Sequence, residues 1–409
     1  MAPPPPVAPL RSLSSSPCSL KVLLLLCSFL LATVSEGSSV AKLRFARRSG
    51  EFKILQVADM HYANGATTPC ENVLPAEQRG CSDLNTTAFL RRLILAEKPN
   101  LIVFTGKSSL SLSLSLSFFL FSANSMASLS GNAAGAGDNI FGFDANDSAR
   151  SMEAAFAPAV AAGIPWAAVL GNHDQEGNLG RRGLMQHIAG MPAALSRVNP
   201  RGLSFPIDGF GNYHLSVAGA AGSAMANQSI LNLYFLDSGD YSSSDFSVYD
   251  WIKPSQLLWF QQSSAKLRRE HGGPAPAMAF FHIPLPEFGS FGPGNSTGVR
   301  QEGISSAAVN SGLFAAMVAA GDVKAAFVGH DHINDFCGEL AGVNLCYGGG
   351  FGYHAYGKAG WPRRARVVAV SLEKTSAAGW GGVKTIRTWR RLDDRSLSTI
   401  DSQLLWTKI

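Results

Sequence analysis

Five short apolar runs in this chain each end in side chains that can hold a metal ion. Phe52-Lys53-Ile54-Leu55-Gln56-Val57-Ala58 runs into Asp59-Met60-His61. Residues 164–170 end at Gly171-Asn172-His173-Asp174-Gln175, residues 278–281 at His282, and residues 324–328 at Gly329-His330-Asp331-His332. The remaining run, Leu101-Ile102-Val103-Phe104-Thr105, closes at Gly106, and Asp138 would follow it directly if residues 107–137 were removed. Five of the nine histidines fall at these ends, which random placement rarely produces. One histidine after a strand is ordinarily a satisfied polar group. A set of them with Asp and Asn, at the carboxyl ends of strands where open α/β sheets hold ligands, points to a shared metal centre. Mixed nitrogen and oxygen donors suit iron, zinc or manganese.

The elements that must position these ends alternate between apolar runs and helical periodicity, the pattern of an α/β fold. Residues 86–98 place Phe89, Leu90, Leu93 and Ile94 on one helical face, with Asn85 or Thr86 as cap and Pro99 as terminator. Residues 148–162 form a second helix, and Pro254 opens a third. Residues 305–320 predict another before the run at 324–328. Residues 213–217 and 230–236 read as strands, the second ending at Asp237-Ser238-Gly239-Asp240, whose carboxylates read as turn residues. Gly348-Gly349-Gly350-Phe351-Gly352 reads as a tight structural turn, since it lacks the strand–loop–helix setting of a phosphate-binding loop. Tyr353, His354 and Tyr356 either line a cleft or fill core. The tail is strand-rich. No linker divides residues 45–400, so a single domain is expected.

Residues 107–137 break this order. Leu and Ser alternate from Ser109 to Ser117, Phe118-Phe119-Leu120-Phe121 follows, and small residues continue to Gly137. Long structureless inserts in compact domains are uncommon. The segment reads as a retained intron or an equivalent gene-prediction artefact, Gly106-Lys107-Ser108 being what a GT-AAG-T splice donor encodes in the matching frame. A genuine surface insert is the alternative. In that case its Leu/Phe run would expose apolar surface beside the site.

Composition narrows the setting. A charge of +5 with 15% charged residues is modest. The pairs Arg181-Arg182, Arg363-Arg364 and Arg390-Arg391 are not interleaved with aromatics on a repeat, so nucleic acid is not the expected partner. Residues 1–39 read as a secretory signal: the apolar core 22–32 is too short to span a bilayer comfortably and small residues follow. No membrane anchor is then expected after cleavage. Cys18 and Cys27 lie in the signal, and the other four cysteines allow three pairings. Closeness in sequence favours Cys70–Cys81 and Cys337–Cys346. Sequons at Asn85, Asn146, Asn227 and Asn295 fit the same secreted route, to apoplast, cell wall or vacuole.

Taken together, the strand-end blocks resemble the calcineurin-like metallophosphoesterase superfamily, whose pattern is Asp-x-His, Gly-Asp, Gly-Asn-His-Asp/Glu, His and Gly-His-x-His. Segments 171–179, 281–288 and 337–357 resemble the short plant purple acid phosphatase-like group, often labelled probable inactive. The resemblance implies a sandwich of two central mixed β-sheets flanked by helices. It implies two divalent or mixed-valence ions, one on Asp59, His61 and His332, the other on Asn172, His282 and His330, with Asp138 bridging them. It further implies hydrolysis of a small phosphate monoester by in-line attack of a metal-bridging hydroxide. His173 would then protonate the leaving alkoxide, with Asp174 either orienting it or capping the turn. Purple acid phosphatases carry a tyrosine ligand three residues after the bridging aspartate; Phe141 stands there in this sequence and cannot coordinate, while His61 offers an imidazole instead. A phosphodiesterase of the same fold and a catalytically inactive metal- or phosphate-binding protein are the alternatives.

Overall fold

Each strand that carries a site residue is buried on both faces, so alternate side chains serve two different cores. In β1 (Glu51–Ala58), Phe52 and Ile54 face one apolar cluster, while Leu55 and Val57 face another. Such two-faced burial requires layers on both sides of a sheet. The computed structural model describes residues 1–3, 43–106, 139–375 and 379–409. The chain divides into two units, Met1–Lys42 and Leu43–Ile409, and the second carries every element below. The expected signal core and the insert 107–137 lie outside the described residues, as does Asp138.

After β1 come a short helix α1 (Pro75–Gln78), α2 (Asp83–Glu97), β2 (Leu101–Thr105), α3 (Ser148–Ala161), β3 (Trp166–Val169) and α4 (Arg181–Gly190). The second half holds β4 (Tyr213–Ala218), β5 (Ser229–Phe235), α5 (Pro254–Glu270), β6 (Ala277–Phe280), α6 (Leu313–Ala320) and β7 (Val323–Val328). A hairpin of β8 (Cys337–Leu340) and β9 (Val343–Tyr347) follows, then β10 (Arg364–Lys374), β11 (Trp380–Leu392) and β12 (Thr399–Thr407). Among the described residues two six-stranded sheets result, ordered β12-β11-β10-β1-β2-β3 and β4-β5-β6-β7-β9-β8. Both are mixed: β1, β2 and β3 run parallel, as do β5, β6, β7 and β9, with antiparallel partners at the margins.

The two sheets share one core, in which Ile54, Val103 and Val169 of the first join Leu233, Phe280 and Phe327 of the second. Helices α2, α3 and α4 cover the outer face of the first sheet through Phe89, Phe156 and Leu184. Helices α5 and α6 cover the second through Phe260, Leu267 and Met317. Each large side chain so buried contributes about 1.5–3 kcal/mol, and this layering puts the carboxyl ends of β1–β3 and β5–β7 at the same edge. Two long-range bonds tie that edge: Gln56 Nε2 donates to Val328 O at 3.0 Å, and His330 N donates to Asp59 Oδ1 at 3.1 Å.

Several boundaries differ from the sequence reading. Helix α2 begins at Asp83, because Ser82 caps it: its hydroxyl accepts from Leu84 N, and Asn85 Oδ1 accepts from Ser82 N. The Asn85 sequon therefore lies inside a helix with its amide engaged, whereas Asn146, Asn227 and Asn295 are exposed on loops. The helix expected over 305–320 spans only Leu313–Ala320, since Gly312 has φ 77° and interrupts it. Cys70 pairs with Cys81, and Cys337 with Cys346, its direct cross-strand partner.

Candidate metal centre

The Asp59-Met60-His61 segment leaves β1 in a conformation that few residues adopt: φ is 64° at Asp59 and 51° at His61. His330, after β7, has φ 83°. Left-handed backbone at non-glycine residues is uncommon and collects at functional sites, where surrounding structure holds it. Here the holding is explicit. Phe351 N donates to Ala58 O, Gly352 N to Asp59 O and Gly350 N to His332 O. The Gly348–Gly352 segment thus packs directly on two of the motifs, and a Cβ at Gly352 would lie 1.8 Å from Met60 O. Only glycine permits that approach.

The candidate donors come together in two groups. His282 and His330 meet at 3.2 Å between Nε2 and Nδ1, while the rings of His61 and His332 lie 4.6 Å apart, edge to face. His332 donates from Nδ1 to the Tyr356 carbonyl and stacks on the Tyr356 ring at 4.0 Å, so Nε2 is the nitrogen that could hold a metal ion. The Tyr356 hydroxyl in turn donates to Glu302 Oε2 at 2.7 Å. Asn172 is fully buried, and neither atom of its side-chain amide has a hydrogen-bond partner among the described residues.

These features fit metal ligation. Two nitrogens held at about 2.05 Å from one ion, at a tetrahedral angle, stand about 3.3 Å apart. An unsatisfied buried amide costs about 1–3 kcal/mol unless something coordinates it. Among the described residues no three His, Cys, Asp or Glu side chains form a ready group for one ion. The expected bridging carboxylate, Asp138, is outside that set.

The loop after β3 is built on two carboxylates. Asp174 accepts from Asn139 N, Ile140 N and Gly171 N, all at 3.0–3.1 Å, and from Asn139 Nδ2 at 3.0 Å. It pins residues 139–140 to the Gly171 turn; burial pushes its carboxyl up against the pull of those amides and of Arg181. The carboxylate on His173 Nδ1 belongs to Glu176, and the Tyr241 hydroxyl lies 2.8 Å from His173 Nε2. Phe141 stands among the rings of His61, His173 and His354, 5.6–6.5 Å from each.

A family model described as calcineurin-like phosphoesterase matches residues 52–334, the span holding every candidate ligand from Asp59 to His332. The chain belongs to the calcineurin-like phosphoesterase family. The chain is 56% identical over 385 residues to probable inactive purple acid phosphatase 29 of Arabidopsis thaliana, with 92% of this chain and 91% of that one covered. To probable inactive purple acid phosphatase 14 of the same plant it is 49% identical over 379 residues, covering 90% and 86%. A dimetal phosphatase from Danio rerio superimposes with TM-score 0.48 at 14% identity, covering 87% of this chain and 99% of that one. At that score the likeness carries no weight.

Sequence reasoning missed several supports of the candidate site. Asp237, read there as a turn residue, is fully buried and pairs with Arg181. Arg181 also donates to Gly171 O and, at 2.7 Å, to Gln175 Oε1. Burial would lower this guanidinium, but Asp237 outweighs it and, with Asp240 and Asp174, holds it above its ordinary value. Ser238 Oγ accepts from His282 N and Ile283 N. The available signal was that β5 also ends in polar residues, Asp237 to Tyr241, at the same edge.

Proposed function

We propose that this chain hydrolyses small phosphate monoesters at a two-metal centre in the secretory pathway or outside the cell. The observation that carries the reading is the 3.2 Å approach of His282 Nε2 and His330 Nδ1, with a fully buried Asn172 amide that has no hydrogen-bond partner among the described residues. Asp59, His61 and His332 would hold one ion, Asn172, His282 and His330 the other, and Asp138 both. When bound, iron, zinc or manganese supplies Lewis-acid charge and an acidified water. The chain's own residues do the rest. Arg181 and Asp174 fix the Gly171 turn, Tyr356 orients His332, and His173 gives a proton to the departing alkoxide. The two disulfides and the exposed sequons support an oxidising compartment. No helix among the described residues is long and apolar enough to cross a membrane.

Turnover of p-nitrophenyl phosphate and bis-p-nitrophenyl phosphate, with metal content measured in parallel, tests the proposal. The expected result is faster hydrolysis of the monoester, lost in His173→Ala while metal is retained. Faster diester hydrolysis would make the chain a phosphodiesterase. The names of its plant relatives favour a second reading, a non-catalytic metal- or phosphate-binding protein. Full metal content without turnover of either ester would support that one.

A further inference from the structure

The residue whose carboxylate meets His173 is the third after it, not the next. Asp174–Glu176 is a single 3-10 turn. Within it Asp174 faces inward to the amides of residues 139, 140 and 171, and Glu176 folds back onto His173 Nδ1. The imidazole is buried, at 3% exposure, while the Glu176 side chain is 26% exposed. Nε2 faces the Tyr241 hydroxyl at 2.8 Å. The Glu176 carboxylate thus stands at ion-pair distance from Nδ1, outside hydrogen-bond geometry, and the Tyr241 hydroxyl stands at Nε2, so the ring cannot turn about its side-chain axis without breaking a contact.

We infer that Glu176 is a positioning residue for His173. It holds one proton on Nδ1, so that the second proton of the imidazolium sits on Nε2, faces the leaving oxygen and is the one transferred, leaving the neutral Nδ1–H ring. In a histidine the hydrogen bond at one nitrogen sets what the other can do, and proton transfer depends on geometry before acidity. The backbone already closes the 3-10 turn, since Glu176 N donates to His173 O at 3.0 Å. The carboxylate of Glu176 is thus surplus to the turn and available for the imidazole. Asp174 cannot do both tasks, because four donors already hold it.

The kinetic arm of the test rests on the hydrolase reading above; a second arm does not. Glu176→Ala and Glu176→Gln are compared with wild type on p-nitrophenyl phosphate and phenyl phosphate, whose leaving oxygens differ in basicity. Positioning of a general acid predicts that Glu176→Ala lowers kcat on phenyl phosphate about 10- to 100-fold and on p-nitrophenyl phosphate only about 3-fold. KM and metal content stay unchanged, and Glu176→Gln, which keeps an acceptor oxygen, recovers most of the loss. Equal losses on both esters, or loss of metal in step with activity, would overturn the inference. In the second arm, nitrogen-15 NMR of the His173 ring, assigned with His173→Ala, reads its tautomer directly. Nδ1–H is expected in wild type and a mixture in Glu176→Ala; the same tautomer in both would refute the role. If wild type turns over neither ester, the hydrolase reading fails and the NMR arm alone decides.

Discussion

Asp237→Ala should damage stability and turnover together, although Asp237 is not a candidate ligand. Asp237 is fully buried against Arg181, itself largely buried, and also accepts from Phe210 N at 2.7 Å and Gly239 N at 3.1 Å. Truncation leaves a buried guanidinium without its charge partner, a change that costs about 3–5 kcal/mol. With an unfolding entropy of about 2 cal/mol/K per residue, that loss lowers Tm by about 5 °C in a unit of this size. The functional consequence follows from the other contacts of Arg181. It donates to Gly171 O and Gln175 Oε1, so it grips the turn bearing Asn172 and His173. The variant is therefore expected to lose kcat beyond what its folded fraction explains. Calorimetry gives the first quantity and p-nitrophenyl phosphate turnover well below Tm the second. Arg181→Met combined with Asp237→Leu should restore part of the stability, since apolar replacement removes both charges. It should not restore turnover, because the turn stays ungripped. A Tm within about 1 °C of wild type for Asp237→Ala would refute the reasoning, because no surface pair could be so cheap to break and yet be the clamp described.

Asn172→Leu removes an amide that has no partner among the described residues, so the metal-free protein should keep its Tm or gain slightly while bound metal falls from two ions per chain towards one, read by elemental analysis. A Tm loss in the metal-free state would mean the amide is structural. Asp83 responds to pH: burial pushes its carboxyl up to about 6 while Ala63 N and Gly65 N pull against the shift. A carboxyl raised in the fold adds stability that is fully present below about pH 3.8 and lost as pH rises through about 6, with an upper limit of about 3 kcal/mol. Tm should accordingly fall between pH 4 and 7 from this source, and Asp83→Asn should flatten that slope; an unchanged slope would remove Asp83 as the cause. Deleting residues 107–137 should raise metal content and phosphatase rate over the full chain, and equal values in both proteins would make the segment a tolerated insert.

The strand ends were readable because burial and ligation demand opposite residue types at one boundary. A run such as Met278-Ala279-Phe280-Phe281 followed by His282 advertises both. Supports built from single polar residues give no such contrast. Glu176 and Asp174 are both acidic neighbours of His173, and only the 3-10 turn decides that the farther one reaches the ring. Ser82 caps α2 in place of Asn85 or Thr86 because several polar residues between 82 and 86 suit an N-terminus, and the choice depends on which has extended backbone. The helix at 305–320 misled for a related reason: Gly312 sits within an apolar pattern whose periodicity does not register its φ of 77°. The basic pairs were weighed only against nucleic-acid binding, yet Arg364 and Arg390 are buried against Asp335, with Arg366 donating to its carbonyl. Charge pairing across 29 and 55 positions leaves no local trace.

The two chain ends that flank residues 107–138 bear on how Asp138 can serve the site. On the near side, Thr105 stands opposite Val169 in the β2–β3 register, and Asp59 N donates to Thr105 O. On the far side, Asn139 Nδ2 donates to Val169 O at 3.1 Å, while Asn139 N and Ile140 N both donate to Asp174. Both ends are thus fastened beside Val169, at the carboxyl end of β3. Closing a long loop between fixed neighbouring ends costs only about 0.6 kcal/mol more for each doubling of length. Chain entropy therefore gives little reason for the flanking motifs to separate. The anchoring that would hold a bridging carboxylate next to Asn139 is supplied by Asp174, outside the insert. On this argument Asp174 matters to the candidate metal centre through residue 139, and Asp174→Ala should lower metal content although Asp174 is not among the candidate ligands.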